Sequence, residues 1–249
     1  MAITELKPYL SNIADKLKSL LGITDKINAQ DFVEKIDEVY EQGKKSQYDE
    51  FWDNYQNEGN RTNYDYSFAR DGWTEDTFKP KYDIKPTTGL AMFYFCKIVD
   101  LRGVLKNQGV TLDLSKVINF ANFFQGSRIE YIGAVDITGA TTAVSSLFQQ
   151  CYFLKEVSEL IVKETNTFSN TTFGNCESLY AIKISGIIGS SISFLSSPNL
   201  THESLMSIIN ALKKLDTGIT ATLTLHEIAK SSLTDSEKAT ITQKGWTLA

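Results

Sequence analysis

A repeated unit in the middle of the chain constrains the fold more than any other feature of the sequence. When the sequence is aligned on itself, four Phe-x-x-Cys/Ser segments come into register, beginning at Phe93, Phe124, Phe148 and Phe173. Each segment is followed by an aliphatic or aromatic residue and then by a short β-type run, at 99–101, 131–137, 157–162 and 181–184. A period of roughly 20 to 50 residues is typical of units that cannot cover their own apolar face and therefore stack on the next unit.

The cysteines occupy one position of this repeat. They are Cys96, Cys151 and Cys176, and the fourth copy has Ser127 there. An odd number of cysteines with no Cys-x-x-Cys and no nearby histidine fits neither a disulfide framework nor a zinc site. A free cysteine behaves as a small hydrophobic residue in a core, so we expect a structural role and no redox or metal chemistry.

The repeat also resembles a known family. The pattern Phe-x-x-Cys-x-x-Leu-x-x-Ile over about residues 90–190 is similar to leucine-rich repeats of the BspA type, which occur in bacterial surface proteins and in phage-encoded proteins of Gram-positive hosts. The flanking segments 13–32, 78–84, 200–205 and 244–248 look like parts of phage tail and virion-associated proteins from the same hosts. The resemblance implies an α+β fold: a short, irregular leucine-rich-repeat β-solenoid with an N-terminal helical region and an α/β C-terminal cap.

The first 57 residues are predicted to be helical. Leu10, Ile13, Leu17 and Leu20 follow the spacing of a coiled-coil seam, which predicts an assembly or anchor region. Two heptads are fewer than a secure coiled coil shows, so packing of these helices on their own domain is the alternative.

The repeats at 90–190 are expected to lie between two caps. Residues 58–89 are rich in aromatic residues and would cover the first repeat. Residues 191–249 would cover the last, with a helix around Leu205, a strand at 220–225, and a capping box, Thr234-x-x-Glu237, that opens a second helix ended by Gly245.

Charge and hydropathy exclude two classes of partner. The net charge is −5, and no basic surplus is available to neutralise a phosphate backbone, so nucleic acid is not expected. No apolar stretch approaches the ~20 residues that cross a bilayer, and the N-terminus has no apolar signal region. We expect a soluble protein made without a signal peptide and without membrane insertion.

The sequence carries no catalytic motif. His202 and His226 each stand beside a glutamate, and neither has metal-ligand spacing to another histidine or cysteine. We therefore expect no enzyme activity, no cofactor and no metal. A carbohydrate-active enzyme stays a lesser alternative, because a glycosidase needs only two carboxylates that the fold brings together.

The expected function is that of a phage structural protein of the tail-fibre or host-attachment type, located in the virion. The N-terminal helices would bind other virion proteins or further copies of the chain, and the repeats would bind a host surface glycan or protein. Tyrosine and tryptophan combine a rigid apolar surface with a polar tip, so the candidate ligand-binding residues are Tyr64, Tyr66, Trp73, Tyr131, Tyr152 and Tyr180. The main alternative is a non-structural phage protein that binds and inhibits a host defence factor in the host cytoplasm.

Overall fold

The computed structural model describes residues 13–22, 24, 34–40, 52, 62–70 and 72–249. The chain forms two compact units, 1–55 and 56–249. In the first unit, helix α1 covers 13–21 and helix α2 covers 34–40. Of the predicted seam, Leu17 is buried, Ile13 and Leu20 are exposed, and Leu10 lies outside the described residues. The assembly role of this seam stays a prediction.

The second unit is α+β. Its helices are α3 (Leu101–Gln108), α4 (His202–Ala211), α5 (Glu227–Ser231) and α6 (Asp235–Gln243). Its strands are β1 (Tyr131–Asp136), β2 (Glu156–Val162), β3 (Ala181–Gly186), β4 (Ile192–Phe194), β5 (Ala221–Leu225) and β6 (Trp246–Leu248). They form two parallel sheets of three strands each, in the orders β1-β2-β3 and β4-β5-β6.

The predicted leucine-rich-repeat solenoid is wrong. Within the described residues the strands belong to two small sheets, and the first sheet stops after three strands because a helix lies at each side. The predicted run at 99–101 does not form a strand: the Asp100 carboxylate accepts a bond from the Gly103 N–H and starts α3. Beside β3, the backbone N–H groups of Ile182 and Ile184 donate to serine hydroxyls of α4.

A column of phenylalanine rings forms the centre of the core. The four rings predicted from the repeat are confirmed as neighbours, with centroids 5.4 Å apart for Phe93 and Phe124, 5.4 Å for Phe124 and Phe148, and 5.3 Å for Phe148 and Phe173. The column continues to Phe68 at one end, 5.2 Å from Phe93, and to Phe194 at the other, 4.5 Å from Phe173. All six side chains are buried.

Stacked turns hold this column in place. The N–H groups of the first four column residues donate to a carbonyl one turn further on, for example Phe124 to Leu147 at 2.9 Å and Phe148 to Thr172 at 2.8 Å. Most turns contain two residues with positive φ four positions apart, as in Ser146 and Gln150. These residues adopt the left-handed region of backbone conformation, which is uncommon for residues other than glycine.

The cysteines lie beside the column and are structural, as predicted. All three are buried and free. The Cys151 thiol donates to the Phe124 carbonyl at 3.0 Å, and the Cys176 thiol donates to the Phe148 carbonyl at 3.1 Å. Burial raises the pKa of Cys151 to about 12 and also raises the pKa values of Cys96 and Cys176, so these thiols stay protonated.

The C-terminal region forms the elements that the sequence predicted. Helix α4 and strand β5 lie where expected, and Thr234 and Glu237 make both bonds of the capping box at the start of α6. Lys244 follows α6, and its ammonium group donates to the carbonyls of Ile209, Asn210 and Leu212 at 2.8 to 3.0 Å. A cation at this point satisfies the C-terminal carbonyls of α4.

Candidate ligand-binding face

The outward side of the β1-β2-β3 sheet carries a group of charged and polar side chains joined by ion pairs. The inward residues of the strands are apolar and buried, among them Ile132, Val157 and Ile182. Because side chains alternate along a strand, their strand neighbours Tyr131, Glu156 and Lys183 point away from the core, and Glu130 and Lys155 come directly before β1 and β2. We call this surface the sheet face, and it comprises Glu130, Tyr131, Lys155, Glu156, Ser158, Glu159 and Lys183, together with Arg102 from α3.

Tyr131 lies under two cations on the sheet face. The Arg102 guanidinium carbon is 5.5 Å and the Lys155 ammonium nitrogen 5.6 Å from the centre of its ring. Arg102 reaches β2, where its Nη1 lies 2.5 Å from Glu156 Oε1 and 3.0 Å from Ser158 Oγ. Both cations are within the ~6 Å range of a cation–π interaction. The ring is therefore partly covered and is a poor open platform for stacking a sugar.

Two further ion pairs connect neighbouring strands. Lys155 Nζ is 2.6 Å from Glu130 Oε2, and Lys183 Nζ is 2.7 Å from Glu159 Oε1. The bond to Glu130 raises the pKa of Lys155, and the bonds from Lys183 and Ser185 lower the pKa of Glu159. Exposed pairs contribute only ~0 to 1 kcal/mol each to stability. Their consequence here is geometric, because each pair places a lysine side chain beside the residue of the preceding strand or repeat unit.

The charges of the sheet face balance. Three cations, Arg102, Lys155 and Lys183, stand against three carboxylates, and each carboxylate accepts a bond from one of the cations. For Glu159 the bonds from Lys183 and Ser185 lower the pKa, which makes this carboxyl a poor general acid. The sheet face therefore carries both signs of charge side by side.

The six aromatic residues predicted as ligand contacts do not form one site. Tyr64 and Trp73 are buried against Phe68, with ring centroids 6.1 and 5.2 Å away, so they belong to the core. Tyr66 is exposed in a turn with positive φ.

Two of the remaining three lie at the sheet. Tyr131 is part of the sheet face, and Tyr180 is exposed directly before β3, where its N–H donates to the Lys155 carbonyl. Tyr152 is exposed, and its hydroxyl lies 3.5 Å from the Asn175 amide nitrogen in the next turn.

Sequence analysis missed the charged residues of the sheet face. A signal was present, because Glu130 and Tyr131 stand at the same repeat positions as Lys155 and Glu156, so opposite charges follow each other one unit apart. Arg102 could not be placed in this way, since it comes from a helix that the repeat alignment treated as a strand.

Metal binding and membrane insertion find no support in the described part of the chain. None of its helices is both long and apolar enough to cross a bilayer. Among the same residues, no group of three or more His, Cys, Asp or Glu side chains could hold a metal ion.

The sequence and the fold were compared with known proteins. No protein-family model matches the chain, and no curated protein or solved structure is significantly similar to it.

Proposed function

We propose that this protein is a non-enzymatic attachment protein of a phage particle and that it binds a protein on the host cell surface through the sheet face. The observation that carries the proposal is the ordered set of charges around Tyr131, held on three parallel strands by cross-strand ion pairs. The phage setting rests on the sequence resemblance alone.

Preorganisation supports binding at this face. Association is opposed by the ordering of long side chains, at about 0.5 to 1.5 kcal/mol for each one immobilised. Arg102, Lys155 and Lys183 are already held by carboxylates, so a partner would find them in place. Arginine and tyrosine are also the residue types enriched where binding energy concentrates.

The charge pattern favours a protein as the ligand. Alternating cations and carboxylates are complementary to a surface that carries both signs, and such complementarity fixes the orientation of the partner. A neutral glycan would instead use an open aromatic ring, whereas Tyr131 is covered by Arg102 and Lys155. Association should therefore slow down as salt rises, because exposed charges are screened over ~8 to 10 Å at physiological ionic strength.

The test uses the labelled full chain and intact cells of the host, titrated at low and high salt. The variants Arg102→Ala and Tyr131→Ala should weaken saturable binding by at least ~10-fold, which corresponds to about 1.4 kcal/mol. Lys230→Ala is the matched control, since Lys230 forms a comparable exposed ion pair with Glu227 on α5, away from the sheet face. Binding that is unaffected by either sheet-face variant would refute the proposed contact surface.

Two further measurements separate the attachment proposal from intracellular inhibition. Mass spectrometry of purified particles should detect the chain at a fixed copy number. Pretreatment of the cells with a protease should abolish the binding that Arg102→Ala weakens, whereas retention of that Arg102-dependent binding would show that the ligand of the sheet face is a glycan. Absence from particles, combined with no binding to cells, would overturn the proposal and favour an inhibitor of a host factor.

A further inference from the structure

A second candidate site is a small open pocket of ≈ 200 Å³ beside the end of the phenylalanine column. Phe173 and Gly174 line it, and strands β4 and β5 contribute Ser193 and Thr224. We propose that this pocket binds one neutral sugar residue. None of the residues of the sheet face lines it, so the site is independent of the function proposed above.

Gly174 lines the pocket without a side chain. In the three preceding turns the residue after the column phenylalanine carries a side chain, namely Tyr94, Gln125 or Gln149. The backbone does not require glycine here, because Gly174 is not among the residues with positive φ. A Cβ at this position would have ordinary van der Waals neighbours, the nearest at 3.4 Å. The absence of a side chain at Gly174 therefore changes the shape of the surface, and the backbone conformation does not require it.

The lining offers hydrogen bonds and no charge. Ser193 and Thr224 are directly opposite each other in the β4–β5 register, and Asn170 and Ser196 complete the polar rim. Hydroxyl and amide groups both donate and accept, as the hydroxyls of a sugar do. A charged ligand would find no counter-charge among the lining residues, which makes its desolvation unfavourable.

Three of the four polar side chains that line the pocket are available to a ligand, whereas the Ser193 hydroxyl accepts a bond from the Leu195 N–H. Elsewhere in these turns, hydroxyls are used inside the protein: Thr172 donates to the Val144 carbonyl and Ser197 to the Cys176 carbonyl. By contrast, the side chains of Asn170, Ser196 and Thr224 have no hydrogen-bond partner within the described part of the chain. They can bond to a bound molecule without breaking a bond in the protein.

An apolar surface accompanies these polar groups. Leu195 lines the pocket with 57% of its surface exposed, and the buried Phe173 is also among the lining residues. A sugar ring has an apolar C–H face as well as hydroxyls, and it matches a lining of this mixed kind. The volume is below the ~300 to 1,000 Å³ of sites for drug-sized ligands, so a single sugar residue, free or at the end of a chain, is the size class expected.

The test restores the side chain that the other turns carry. Neutral monosaccharides, including glucose, galactose, N-acetylglucosamine and rhamnose, are titrated into the full chain and followed by ligand-observed NMR. The wild-type protein should bind at least one of them saturably, with a Kd on the order of 1 mM. Gly174→Gln should abolish that binding or weaken it at least ~10-fold, whereas Gly174→Ala adds only a methyl group and should retain it.

Two additional variants keep the test decisive. Thr224→Val keeps the shape of the side chain and removes the hydroxyl, so it should weaken sugar binding even if Gly174→Gln does not fold. Arg102→Ala should leave sugar binding unchanged, which separates this site from the sheet face. The inference is overturned if no neutral monosaccharide binds the wild-type chain, or if folded Gly174→Gln and Thr224→Val bind it as the wild type does.

Discussion

The substitution Phe148→Ala tests the phenylalanine column at its centre. Phe148 has no exposed surface and lies between the rings of Phe124 and Phe173, at centroid distances of 5.4 and 5.3 Å. Its ring is nearly parallel to that of Phe124, with an interplanar angle of 3°. Removing the ring leaves a cavity inside the column and takes a stacking partner from both neighbours.

The expected loss of unfolding free energy follows from the cavity and from the lost ring contacts. Truncating a buried phenylalanine to alanine destabilises proteins by about 3 to 5 kcal/mol, because burial is lost and the cavity closes only in part. Aromatic pairs contribute ~0.5 to 1.5 kcal/mol beyond burial, and two such pairs are lost here. The stacked turns are tied by backbone hydrogen bonds at this point, which limits collapse into the cavity. We therefore expect a loss near the upper end, about 4 to 5 kcal/mol.

Urea unfolding of the full chain, followed by far-UV circular dichroism, measures this free energy. The control is Phe153→Ala, since Phe153 is 50% exposed and should change stability by only about 0.5 kcal/mol. A loss below about 1 kcal/mol for Phe148→Ala, at an unchanged m-value, would refute the column as a packed core.

Three further predictions concern the backbone, the thiols and one cap. Gly126→Ala places a Cβ at φ 68° and 2.7 Å from the Phe95 ring, so it should lower the unfolding free energy by about 1 to 2 kcal/mol, whereas Gly174→Ala should be near neutral in the same denaturation assay. Ellman's reagent at pH 8 should label Cys151 and the other two cysteines only as fast as the protein unfolds, because burial keeps them as thiols; immediate labelling would contradict this. The cap at the start of α6 lowers the pKa of Glu237, chiefly through the backbone hydrogen bond from Thr234, so its ionised form stabilises the fold at neutral pH. That contribution should disappear as the pH falls below about 5, and the stability difference between wild type and Glu237→Gln should shrink in parallel in urea titrations from pH 7 to pH 3.

The column could be predicted from the sequence because the repeat is regular over its central phenylalanines. Phe124, Phe148 and Phe173 stand at nearly equal spacing, and each is followed three residues later by a small side chain. The structure shows the same pattern once more at Phe194, followed by Ser197, whose hydroxyl donates to the Cys176 carbonyl. The shorter spacing to Phe194 concealed this last member from the alignment.

The solenoid prediction failed where local signals competed with the repeat. Asp100 can accept a bond from the helix N-terminus and Gly109 adopts φ 67°, and together they are the usual start and end signals of a helix. The alignment treated 99–101 as a strand because it follows the first Phe-x-x-Cys. The sheet face was missed for the same reason, since Arg102 reaches Tyr131 only because this segment is helical.

The other side of the first sheet shows how a helix can end a stack of strands. A strand at the side of a sheet presents unpaired N–H and C=O groups that would accept another strand. Ser204 of α4 takes that place, because its hydroxyl accepts from the Ile182 N–H at 3.0 Å and donates to the Tyr180 carbonyl at 3.2 Å. Ser207 repeats the arrangement, accepting from the Ile184 N–H at 2.8 Å.

Removing the Ser204 hydroxyl should therefore show whether the β3 backbone needs this hydrogen-bond partner. Ser204→Ala leaves the Ile182 N–H buried without its partner, at a cost of about 1 to 3 kcal/mol. NMR hydrogen exchange should show faster exchange of this amide, while Ser231→Ala, at an exposed position of α5, should change neither stability nor exchange. If Ser204→Ala also changed neither stability nor amide exchange, the Ser204 hydroxyl would not be the group that satisfies the β3 backbone. The end of the sheet would then have to be explained by apolar packing of α4 alone, through side chains such as Leu205 and Ile208.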